Sequence, residues 1–238
     1  MIARTTLRVS VARAGLAFVA IALALSTPGL LAAPALRGID EVTFGRAVTR
    51  ALSGLTFPVA SAVLVVLLLS RQSRLRRGAD RLVGAGLPPA RAARFLVLTT
   101  LAAAVFVAAP LGAALVAVLR GAAQLGPTSL AVRDVLGTAW AAALGAAAWT
   151  AVGAAFMARS GRPSRALMVL AIDLPTRMLP GGAAWLAPGA HLDNVLGAPP
   201  PHGLLPVPVL PQIASVAALV VMTVLGAWIA LVRYEAAD

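Results

Sequence analysis

The stretch Arg71–Arg94, RQSRLRRGADRLVGAGLPPARAAR, decides how this chain is read. It holds seven of the chain's twenty arginines. Apolar runs stand on either side of it, LTFPVASAVLVVLLLS (Leu55–Ser70) before and FLVLTTLAAAVFVAAPLGAALVAVL (Phe95–Leu119) after. About 20 predominantly apolar residues suffice for a helix to cross a bilayer. A loop this basic between two such runs is expected on the cytoplasmic side, because short arginine-rich loops resist translocation.

Composition extends the membrane reading to the whole chain. Hydrophobic residues make up 60% and charged residues 12%, whereas soluble domains carry roughly 25% charged and about 45–50% apolar residues. The formal charge of +12 comes entirely from arginine, with no lysine, as codon usage rich in G and C would produce. Nucleic acid is not the partner this basicity implies. The arginines gather beside apolar spans rather than on a soluble basic face, as positive-inside topology requires. With no cysteine, disulfides, iron–sulfur clusters and thiol nucleophiles are ruled out.

Working outward from the basic loop, six spans are expected: about Ala14–Ala33, Leu55–Ser70, Phe95–Leu119, Val135–Ala158, Ala166–Leu186 and Gln212–Val232. The fifth contains Asp173, Pro175, Arg177 and Pro180 and should be broken or only partly inserted. The N-terminus, the 71–94 loop, the 159–165 loop and the tail together carry fourteen arginines, against five in the opposite loops. That asymmetry places both termini in the cytoplasm. The first span has the look of a signal peptide, but its apolar run is long and Pro34 disfavours cleavage next to it. The predicted fold class is all-α: one polytopic transmembrane helix bundle over residues 1–238, multi-pass in the cell (inner) membrane.

Four features within that layout carry candidate functions. Residues 1–12, MIARTTLRVSVA, read either as an interfacial amphipathic helix or as a plain positive anchor. In the 71–94 loop, Leu75, Leu82 and Val83 stand among Arg74, Arg76, Arg77, Asp80 and Arg81, before Gly84-Ala85-Gly86. Pro88-Pro89 follows, and the helix restarts through Arg91 toward the third span. Helix, glycine turn and helix make a knob that a cytoplasmic partner can grip. The plainer alternative is an ordinary topology-setting loop.

Asp173 and Arg177, four apart, share one face of a helix at membrane depth. They form either part of a translocation path or a structural pair near a helix end, since intramembrane charges face a bundle interior or water. The proline-rich outer loop 187–211 contains His191, Asp193 and His202, too few ligands for a metal site. It should hold a short interfacial or re-entrant piece around His191–Leu196. No GxSxG, HExxH, GxxxxGK[ST] or GxGxxG occurs. Neither an enzyme nor a cofactor is therefore expected, and ATP-driven work would need a separate subunit.

Together these pieces resemble the permease subunits of ATP-binding-cassette exporters, of the six-helix class without a fused ATPase. RLRRGADRLVGAGLPPARAARF stands where that family has its coupling helix, which docks into a groove of the ATPase. MIARTTLRVSVA and WLAPGAHLDNVLG stand where it has an amphipathic N-terminal helix and re-entrant helices before the last span. The resemblance implies a separate ABC ATPase partner contacting Arg74, Arg76, Arg77, Asp80, Arg81, Leu82 and Arg91. It also implies a homo- or heterodimer of permeases in contact with membrane lipids, and alternating access driven by the ATPase.

RGADRLVGAGLPPARAARFLVL is also locally similar to lipopolysaccharide-export permeases. Those insert a β-rich domain between spans three and four, for which the Arg120–Asp134 connection is far too short. A non-transporting membrane assembly or scaffold protein would share the same topology. A secondary transporter would be expected to show inverted repeats, and the sequence has no convincing one.

Overall fold

A computed structural model describes residues 89–125, 129–160, 163–178, 185–196 and 211–235, with the isolated positions Leu16, Val19, Ala20, Phe44, Val59 and Ala60. Within these segments the secondary structure is helical, and no strand occurs among the described residues. The elements are α1 (Pro89–Ala122), α2 (Ser129–Ser160), a 3₁₀ turn (Pro163–Leu167), α3 (Met168–Met178), α4 (Pro188–Val195) and α5 (Gln212–Glu235). Three contain segments long and apolar enough to cross a membrane: Val97–Gly121, Leu130–Ala158 and Gln212–Val232. They correspond to expected spans three, four and six, and the last agrees residue for residue. Spans one and two, the N-terminal segment and the Arg71–Pro88 part of the basic loop lie outside the described residues, apart from those isolated positions.

Local chemistry explains the ends of α1. Pro89 opens it because proline's fixed φ suits the first helical position, where its missing N–H is not needed. At the other end the N–H groups of Gln124 and Leu125 bond the carbonyls of Gly121 and Arg120 at 3.1 Å each. This is a Schellman closure in which Gln124, at φ 59°, takes the left-handed position usually filled by glycine. Leu125 then turns back onto the core.

The axis of the bundle is α2. Of an apolar 18-residue stretch within Leu130–Ala158 67% is buried, against 22% of the matching stretch within Gln212–Val232. Its inner face is built of alanine: Ala141, Ala142, Ala146, Ala148, Ala151 and Ala154 are all buried. In lipid the hydrophobic effect does not drive helices together, so small side chains that let backbones touch take over that work. At the closest crossing, a Cβ added to Gly226 of α5 would lie 2.7 Å from the carbonyl carbon of Ala151. Outward, α1 shows Leu98, Phe106 and Val118, while α5 shows Ile213, Val221, Val224, Leu225 and Trp228. These side chains form an apolar exterior suited to lipid.

Packing fixes the directions. Arg120 at the end of α1 reaches Asp134 at the start of α2, so these two helices are antiparallel. At the opposite end Val97, Ala154, Met157, Ala166 and Ala230 share one small core. The end of α2, the 3₁₀ turn and the end of α5 therefore meet there, and α5 runs parallel to α2. Of the fifth expected span, α3 covers 11 residues, about 16 Å of helix, and residues 179–184 lie outside the described residues.

Candidate functional site

Polar side chains inside the bundle converge on α4. This helix of eight residues starts with Pro188 directly after Ala187, whose extended backbone supplies no side-chain cap. A helix start leaves N–H groups without intrahelical partners. Pro188 has none to satisfy. The Ala190 and His191 N–H groups both bond the carbonyl of Ala187, at 3.1 and 3.4 Å. The remaining N–H, on Gly189, donates to Asp173 Oδ1 of α3 at 2.8 Å. Asp173 is 0% exposed. Its carboxylate thus serves as a cap supplied from another helix, placed against the positive end of the α4 dipole.

Depth explains why such a cap is needed. Leu192 of α4 is buried against α2, its Cδ2 lying 3.0 Å from where a Cβ on Gly145 would sit. Gly145 is halfway along α2, about 24 Å from that helix's start at 1.5 Å per residue. α4 therefore sits alongside the middle of a membrane-length helix, where an unpaired backbone N–H costs several kcal/mol.

A second set of bonds ties α4 to α5. His191, buried, places Nε2 3.0 Å from the carbonyl oxygen of Trp185 and Nδ1 3.3 Å from Ser215 Oγ. Asn194 Nδ2 donates to the same Ser215 Oγ at 2.7 Å, and Ser215 is completely buried. Because a carbonyl only accepts, Nε2 carries the proton toward Trp185. In the neutral ring Nδ1 is then the acceptor, taking the hydroxyl proton of Ser215, whose oxygen receives the Asn194 amide. The Trp185 ring stands edge-on to the imidazole, with centroids 6.4 Å apart.

A third polar contact closes the α1–α2 end. Arg120 Nη1 donates to Asp134 Oδ2 at 2.9 Å, the side chains being 5% and 24% exposed. The guanidinium carbon stands 6.0 Å from the centroid of the Phe44 ring, within cation–π range.

Of the residues singled out from sequence, Asp173 is buried at the centre of this site. Arg177 lies in the last turn of α3 and Arg91 in the first turns of α1, but both side chains fall outside the described residues. Arg74, Arg76, Arg77, Asp80, Arg81 and Leu82 fall outside them altogether. The expected piece at His191–Leu196 exists but starts earlier, at Pro188. Among the described residues no group of three metal-type ligands gathers, and both nitrogens of His191 are already engaged.

Sequence reasoning set His191, Asp193 and His202 aside as too few for a metal site and gave no sign that His191 and Asn194 meet on Ser215 Oγ. Positions i and i+3 share a helix face, whereas i and i+2 do not. Ser215 gave no signal until α5 brought it alongside. No family model, curated protein or solved structure matches the chain.

Proposed function

We propose that this chain is the membrane-spanning permease subunit of an ATP-driven exporter, working with a separate ABC ATPase that it contacts through the 71–94 loop. In this reading it has six spans with both termini cytoplasmic, lies in the inner membrane, and pairs with a second permease of the same or a different sequence. One observation carries the proposal. The last span is preceded by an 11-residue helix, α3, and a short helix, α4, held at the depth of Gly145. Short helices with buried polar groups at membrane depth are what the discontinuous helices of a transport pathway supply. Arg74, Arg76, Arg77, Asp80, Arg81, Leu82 and Arg91 would form the contact with the ATPase, and Asp173 with Arg177 would lie beside the path.

The test is a mild-detergent capture of the tagged full-length chain from its own host, read by mass spectrometry. A stoichiometric P-loop ATPase should co-purify. The triple charge reversal Arg76→Glu, Arg77→Glu, Arg81→Glu should abolish its binding while leaving membrane insertion intact. Capture without any ATPase, or an ATPase indifferent to the reversal, would move the assignment to a membrane assembly or scaffold protein.

A further inference from the structure

We propose that His191 is a proton-operated clasp that holds α4 against α5 only while its ring is neutral. The inference stands on the hydrogen-bond chain and its burial, and is independent of the exporter reading.

In the closed state each link of the hydrogen-bond chain pairs a donor with an acceptor. Nε2–H faces the Trp185 carbonyl, the Ser215 hydroxyl faces Nδ1, and the Asn194 amide faces Ser215 Oγ. A proton taken up from solution can bind only at Nδ1, because Nε2 already carries one. Nδ1 then becomes a donor directed at Ser215 Oγ, which the Asn194 amide already approaches as a donor. The Ser215 proton loses its acceptor and must turn away. A full charge also comes to rest on a ring 3% exposed. Burying a charge without pairing is costly, so the protonated ring no longer favours the closed arrangement.

The charged groups around α4 are few. Asp173 on α3 faces the start of α4 through Gly189, Arg177 lies in the last turn of α3, and Asp193 is on α4 itself. On α2 the acidic group is Asp134, at 2.9 Å from Arg120 of α1, with Arg133 beside it. The described side chains of α5 include no ionisable group. The described side chains of α5 thus offer no carboxylate to hold an imidazolium at Ser215, so protonation removes the bond to α5 without replacing it. Acid releases α4 from the last span, and neutral pH re-engages it.

The chain has no cysteine, so one introduced thiol reports cleanly. Ala187, 0% exposed at the head of α4, is the reporter site as Ala187→Cys in the full-length protein in membranes. N-ethylmaleimide labelling is compared at about pH 7.5 and about pH 5.5, the range over which histidine is the side chain that changes charge. The pH response of the thiol itself is removed by comparing Ala187→Cys with Ala187→Cys/His191→Gln, whose amide cannot titrate. The expected result is an acid-to-neutral labelling ratio several-fold higher with His191 present. Equal ratios in the two proteins overturn the proposal. If the glutamine variant fails to accumulate, Ala187→Cys/Ser215→Ala decides. Without the hydroxyl, labelling should be raised and indifferent to pH, and an acid response matching that of the His191–Ser215 parent overturns the clasp.

Discussion

At the residue scale, Asp173 shows how a buried acid can stabilise a membrane protein by accepting a hydrogen bond from another helix's backbone. Its Oδ1 accepts the Gly189 N–H at 2.8 Å, so the carboxylate is used chiefly as an acceptor at a helix start. Asp173→Asn retains a carbonyl oxygen at that place, whereas Asp173→Leu retains the bulk and no acceptor. The leucine variant should be less stable than the asparagine variant by about 1–3 kcal/mol, the cost of a buried donor left unsatisfied. Reversible unfolding of the purified chain in mixed micelles would measure it, and equal losses would mean that charge matters more than the hydrogen bond. From sequence Asp173 stood out because an acid at membrane depth is expensive, but its partner was invisible. A backbone N–H sixteen residues downstream has no signature in a one-dimensional reading.

The element scale separates what periodicity and length can reveal from what they cannot. Long apolar runs gave expected spans three, four and six with good boundaries, because hydropathy over about 20 residues reports directly on insertion. Pro175 and Asp173, read from sequence as interrupting span five, both lie within the continuous helix α3. The placement of α4 was not legible, since its apolar face is only Leu192 and Val195, too short for periodicity to assign a partner. Its position follows from contacts on α2 and α5 that only the assembled bundle supplies.

Glycines on these helices divide in the same way. A Cβ on Gly226 would meet the Ala151 carbonyl carbon at 2.7 Å and its oxygen at 2.9 Å, atoms of a backbone that cannot step aside, while one on Gly137 meets nothing within 4 Å. Gly226→Ala should therefore destabilise the α2–α5 crossing by about 1–3 kcal/mol, as overpacking does. Gly137→Ala should be neutral or stabilise by up to about 1 kcal/mol through helix propensity. Thermal denaturation of the two variants in one detergent checks both signs.

For the whole molecule, the antiparallel α1–α2 pair and the parallel α2–α5 pair place the starts of α2 and α5 at one end and the 3₁₀ turn at the other. Leu130 and Gln212 are exposed at the first end and Ser164 is exposed at the second. Single cysteines at Leu130 and Gln212 should react with an impermeant maleimide from the same side of the membrane, and a cysteine at Ser164 only from the other. Labelling of all three from one side would overturn the crossing of α2. The way α4 is held also has a consequence for biogenesis. Each of its polar fastenings reaches a different neighbour, Asp173 before it in the chain and Ser215 after it. During synthesis the nascent chain can supply the first of these as soon as α4 emerges, but the second waits until α5 has entered the bilayer. Until then the His191 Nδ1 and the Asn194 amide lack the Ser215 hydroxyl, and a half-finished chain presents them to the insertion machinery and to membrane proteases. Completion of the last helix is thus also the moment at which the protein ceases to look unfinished to the cell.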